Sequence, residues 1–296
     1  ASFDAVQAAW RLARFQLDAL RHGTAPVQAH LPVLARRAQQ RLRDLHALLW
    51  APLAELLEDA TRVLVVPAEG LAGVPYAALH DGLTAVGQRH LLAQAPSVQV
   101  ALHGLKRPAL PARAVLAVGE CSRLPHAGAE AERVAALFPA GRALTGADAT
   151  LAALQAQAPS ADVLHLACHA QFRHDNPMFS ALHLLDGPLT AERAEALALR
   201  PGVVVLSACE TGLSGQTGGH EQVGLVRAFL VAGAARVLAS LWPVDDAVTA
   251  FFMDHFYGAL QRGLSPAQAL GDAQTAVACR HPHPSFWAGF VLFGGW

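Results

Sequence analysis

Apolar positions along the first sixty residues recur at helical steps. Trp10, Leu17 and Leu20 fall in 4 to 22, and Leu34, Leu42, Leu45, Leu49, Leu53 and Leu56 in 31 to 59, at roughly helical three- and four-residue steps or their doubles among Arg, Gln and Ala. That period lines one face of a helix, so two amphipathic helices are predicted, split at GTAP, 23 to 26. From residue 61 the period changes. RVLVVPA (62 to 68), AVLAVGE (114 to 120), DVLHLACH (162 to 169), VVVLSAC (203 to 209) and RVLASLW (236 to 242) are short apolar runs that end at small or polar residues. Helical patterns at 129 to 138, 148 to 157, 190 to 199 and 221 to 232 lie between them. Such alternation predicts an α/β fold: a mostly parallel sheet with crossover helices on both faces. A further helix follows residue 245, Ser265-Pro266 opens another as cap and first-turn residue, and FWAGFVLFG, 286 to 294, closes the pattern as a strand.

Composition narrows what this fold can do. With 296 residues and 53% hydrophobic content the chain can bury a large core. Twenty-two basic and 23 acidic side chains nearly cancel, so no global field favours nucleic acid or an anionic membrane. The apolar stretch 225 to 242 is interrupted by Arg227, Gly233 and Arg236, which argues against a membrane span. Four cysteines without C-x-x-C spacing point to a reducing, cytoplasmic setting rather than a disulfide scaffold. The start at ASFD has neither methionine nor a charged-then-apolar leader, which argues against a signal peptide and suggests a processed or excised piece of a longer protein.

In open α/β sheets the chemistry lies beyond the carboxyl ends of the strands. The run 162 to 168 delivers His169, and the run 203 to 208 delivers Cys209 forty residues further on. If these strands are neighbours, the two side chains emerge together. A thiolate can then attack a carbonyl carbon while an imidazole carries a proton to the leaving amine. Backbone N–H groups of Ala170 and Cys209 are the candidates to hold the developing oxyanion. By strand alternation Cys168 points away from His169 and reads as core; Cys121 and Cys279 have no histidine in a comparable setting. His165 reads as a packed core histidine. The glycines of 212 to 219 follow no phosphate-loop order and the fifteen histidines include no H-E-x-x-H, so no cofactor or metal is expected.

Several segments together resemble one family. VVPAEGLAGVPYAALHDG, VLHLACHAQF, VVVLSACETGLS, RAFLVAGAARVLASLWPVDD, FYGALQRGLSPAQALGDAQ and HPSFWAGFVLFGGW are similar to the CHAT family, caspase-like peptidases often attached to TPR repeats and related to separase. The likeness divides the chain into an N-terminal helical segment, 1 to 60, which would end a TPR-like array, and a peptidase domain, 61 to 296. It implies a caspase-hemoglobinase-like α/β/α sandwich, a protein substrate, an upstream sensor or repeat partner, a role in bacterial defence or cell death, and a His-Cys dyad on His169 and Cys209. The sequence departs from the family at Ala170, where a glycine is usual, and at GGHEQ, 218 to 222, where the family tends to read G-E-G.

Asp245 and Asp246 follow the strand 236 to 242, on the same rim. Helix capping explains them without a substrate; in separase-like relatives an acid in this segment helps bind a basic P1 residue, which would give that role to Asp246. Leu241, Trp242 and Phe251 could instead line an apolar pocket, so the P1 preference stays open between basic and apolar. Two functions stand at this point: a cysteine endopeptidase, or a catalytically silent caspase-like scaffold for protein-protein interaction.

Overall fold

In the computed structural model the described residues are 1–21, 23–107, 111–122, 124–173, 176–200, 202–207 and 221–296. Helix α1 (Phe3–Leu17) starts at Ser2, whose hydroxyl accepts from the Ala5 N–H at 3.3 Å. It buries Val6, Trp10, Ala13 and Leu17 toward α2 (Leu31–Leu49), which offers Ala35, Ala38, Leu42 and Leu45 in return. The helix predicted to run to 59 stops at Leu49, because Pro52 in the next turn has no N–H to continue the ladder. A 3-10 turn and the short α3 (Ala54–Leu57) replace it.

Strand β1 (Arg62–Val65) is followed by α4 (Val86–Arg89), β2 (Leu91–Gln94) and α5 (Val98–Leu105). The next units are β3 (Val115–Gly119), α6 (Ala127–Ala136), β4 (Arg142–Thr145), α7 (Leu151–Gln157) and β5 (Val163–Ala167). A three-stranded antiparallel sheet then interrupts the alternation, with β6 (His169–Gln171), β7 (Ala181–Leu184) and β8 (Gly187–Thr190). The chain closes with α8 (Ala191–Glu195), β9 (Val203–Leu206), α9 (Glu221–Ala232), β10 (Arg236–Ser240), α10 (Asp246–Gln261), α11 (Pro266–Arg280) and β11 (Phe290–Gly294).

The large sheet has the order β1-β2-β11-β10-β9-β5-β3-β4 and is parallel except where β11 meets β10. Five strands, from β10 to β4, therefore share one direction and one carboxyl rim. All residues of β3, β5, β9 and β10 are buried, which is why their sequences run apolar without alternation. Helices α6, α10 and α11 pack in one contiguous layer, and α8 against α9 in another. The N-terminal helices belong to the same hydrophobic core: Trp10, Leu17, Leu42 and Leu45 join it with the sheet residues.

The run 162 to 169 is not one strand. It breaks at Cys168, so that β5 ends at Ala167 in the large sheet and β6 starts at His169 in the small one. Gly119 ends β3 where α6 begins: a Cβ there would lie 2.3 Å from the Ala127 carbonyl oxygen, so only glycine lets the helix enter this close.

Candidate functional site

Strands β5 and β9 are direct parallel neighbours, with Val163 opposite Val203 and Leu166 opposite Leu206. The Ser207 N–H continues the ladder to the Leu166 carbonyl at 3.0 Å. The two strand ends therefore leave the sheet side by side. Past β5, Cys168 is fully buried and its thiol is pushed up to about 12, chiefly by burial. It stays protonated and is no nucleophile at neutral pH. His169, the next residue, is half-buried at the start of β6 and stacks on His183, with ring centroids 5.6 Å apart. Ala170 faces inward with 0% exposure, opposite Leu182 in the ladder. Cys209 and the glycine-rich stretch after it lie outside the described residues.

A buried polar network sits directly beneath this rim. His165, on β5, is 0% exposed, and its Nδ1 meets the Tyr257 hydroxyl of α10 at 2.9 Å. Burial and the Glu130 charge raise the Tyr257 pKa well above the ordinary phenol value, so the hydroxyl keeps its proton at neutral pH. The opposite nitrogen, Nε2, lies 3.2 Å from Glu130 Oε1, an oblique contact rather than a well-aligned hydrogen bond. The Ser207 hydroxyl donates to the same oxygen at 2.6 Å. Burial pushes the Glu130 carboxyl up, but the His165 contact, the Ser207 hydroxyl and the Arg133 charge outweigh it, and its pKa lies below the ordinary value. The first-turn position of Glu130 on α6 works in the same direction.

Glu130 and Ser207 line a cavity of about 390 Å³, together with Arg133, Ala167, Asp246 and Thr249. Asp246, in the first turn of α10, thus stands on the same rim as Ser207. Asp245 caps that helix, its Oδ1 accepting from the N–H groups of Ala247 at 3.0 Å and Val248 at 3.2 Å. Trp242 is placed elsewhere. It is 6% exposed, its indole N–H donates to the Ser285 carbonyl at 2.8 Å, and the Arg14 guanidinium sits 5.5 Å from its ring. It lines a second cavity of about 310 Å³ between α1 and residues 242–246, which Asp246 also borders. Leu241 is buried, and Phe251 packs between His255 and Arg280. Neither borders the Glu130 cavity.

Glu130 and Ser207 were not anticipated from the sequence. The usable signal was positional: Ser207 stands two residues before Cys209, and an acid opens the helix that follows a central strand. Among the described residues no cluster of three metal-ligating side chains occurs, and no helix is long and apolar enough to cross a membrane.

A mostly parallel eight-stranded sheet between helical layers, with a histidine just past one central strand and a carboxylate-lined cavity at the same rim, defines a protein of caspase-like fold. The chain belongs to the CHAT domain family, whose sequence profile matches residues 39–295. It is 42% identical over 108 residues to mouse (Mus musculus) tetratricopeptide repeat protein 28. That match spans 36% of this chain and only 4% of the relative's length. Its fold is similar to that of the Arg-specific cysteine proteinase gingipain R, with a TM-score of 0.56 and 11% identity over 89% of this chain and 68% of that one. It is similar also to the Saccharomyces cerevisiae separase-securin complex, with a TM-score of 0.54 and 14% identity over 78% of this chain and 15% of that one.

Proposed function

We propose that the chain is a cysteine endopeptidase that cleaves a protein substrate through His169 and Cys209. The observation that supports this most is the direct adjacency of β5 and β9, since His169 lies two residues beyond the end of one strand and Cys209 three beyond the end of the other. Attack of the Cys209 thiolate on the scissile carbonyl forms a carbon-sulfur bond and an oxyanion, with the backbone N–H groups of Ala170 and Cys209 as its donors. Collapse breaks the carbon-nitrogen bond, and the His169 imidazolium gives its proton to the leaving amine. Water activated by His169 then hydrolyses the thioester and restores the thiol.

The substrate side chain before the scissile bond is assigned to the cavity lined by Glu130 and Asp246, which favours Arg or Lys over an apolar residue. Arg133 borders the same space and pairs with Asp254 at 3.4 Å. In this reading residues 1 to 60 join the peptidase to an upstream repeat or sensor segment, in keeping with the tetratricopeptide relatives, and the protein works in the reducing cytoplasm.

A positional-scanning peptide library tests both parts. The native chain is expected to cleave after Arg or Lys, Cys209→Ala to cleave nothing, and Asp246→Asn with Glu130→Gln to lose about tenfold or more of the basic preference. Cleavage by Cys209→Ala would sink the mechanism, and an unchanged preference in the double variant would remove the acids from the pocket.

A further inference from the structure

The dyad accounts for His169 but not for the second imidazole stacked on it. His169 and His183 are register partners in the antiparallel β6–β7 ladder, and their ring planes lie 29° apart. Two residues beyond His169, and so on the same face of β6, Gln171 brings Oε1 to 3.2 Å from His183 Nε2. An amide oxygen only accepts, so His183 Nε2 carries a hydrogen in this contact. The opposite face of the small sheet is anchored in the core, because Ala170 and Leu182, the next pair in register, are both 0% exposed. The outer face therefore presents a short row of polar rings and amide on a strand pair whose underside is buried in the core.

This arrangement answers a mechanical need. Proton exchange demands one ring orientation. A neighbouring ring at stacking distance restricts how the His169 imidazole can lie, and Gln171 in turn contacts that neighbour. We propose that His183 is a positioning residue for His169, fixing the imidazole plane from which a proton is exchanged with the Cys209 thiol. The inference rests on the dyad reading given above.

Alkylation by iodoacetamide tests it without knowledge of the substrate. The rate at Cys209 is followed by peptide mass spectrometry in the full chain from about pH 5 to about pH 9. The exposed thiols of Cys121 and Cys279 serve as references within the same molecule. In the native chain Cys209 should react faster at neutral pH than in His169→Ala. His183→Ala should slow Cys209 about tenfold and move its apparent thiol pKa upward, whereas His183→Phe, which keeps a stacking ring, should stay within about threefold of native. The reference thiols should not change in any variant. If His183→Ala does not fold, Gln171→Ala carries the expectation, with a loss of about threefold. A Cys209 profile in the folded His183 or Gln171 variants identical to native overturns the positioning role and leaves the dyad standing. Equal Cys209 rates in native and His169→Ala overturn the dyad and this inference with it.

Discussion

Buried histidines show at the level of single residues how far local sequence carries. His165 was readable as a core histidine because it falls on the buried face of a run that is apolar throughout, but its partners were not: Glu130 and Tyr257 are 35 and 92 positions away, and no periodicity connects them. Changing Tyr257 to Phe leaves His165 Nδ1 without its hydroxyl partner in a dry site, and should cost about 1–3 kcal/mol in chemical denaturation. His283 offers a pH-dependent counterpart. It is 2% exposed, its Nδ1 contacts the Ser285 hydroxyl at 2.8 Å, and burial depresses its pKa from 6.5 to about 4. The folded chain therefore binds fewer protons here than the unfolded chain across that window. The stability it supports is complete above the ordinary histidine pKa and is lost as pH falls toward 4, by roughly 3 kcal/mol from a shift of this size. Denaturation of the native chain and of His283→Gln at neutral pH and near pH 4.5 should show a gap that closes on acidification; a constant gap would mean that His283 is not the titrating group.

Elements with local start signals were legible, and those made by distant pairing were not. Ser265-Pro266 predicted α11, and the structure supplies the full capping arrangement, with Ser265 Oγ accepting from the Gln268 N–H and the Gln268 side chain accepting from the Ser265 N–H. Ser265→Ala should lower stability by about 1 kcal/mol, read from the denaturation midpoint. By contrast β4 and the β6–β8 sheet carry no strong run: RALT lies at the sheet edge with one buried residue, and HAQ has three residues whose pairing is set by β7. The break at Cys168 was likewise hidden, since VLHLACH reads as one continuous strand until its two halves join different sheets. Gly119 is the point at which an element's placement reaches the site. An added methyl group would meet Ala127 and push α6 outward, carrying Glu130 away from Ser207. Gly119→Ala is expected to destabilise by about 1–3 kcal/mol and to disturb the cavity as well as the fold. A variant with native stability would show that α6 does not need this close approach.

For the whole molecule, the alternation of apolar runs and helical patterns was enough to predict the layered α/β architecture, while the relation of the N-terminal helices to it was not. Trp10 and Leu17 share one core with the sheet, Arg14 lies over Trp242, and the family match begins at residue 39, within α2. Removing residues 1 to 38 would strip Val6 and Trp10 from the core and expose the apolar face of α2 and the Trp242 side of the rim. Burial of one large apolar side chain is worth about 1.5–3 kcal/mol, so the truncated chain should melt far below the native one or fail to fold. The central claim is that His169 activates Cys209 for attack on a peptide carbonyl. It is tested most directly by the rate and site of covalent labelling by a peptidyl acyloxymethyl ketone with arginine at P1, mapped by mass spectrometry. The native chain should be labelled at Cys209 and not at the exposed Cys121 or Cys279, and His169→Ala should lose that labelling. Label spread equally over the exposed cysteines, or undiminished at Cys209 in His169→Ala, would contradict the account.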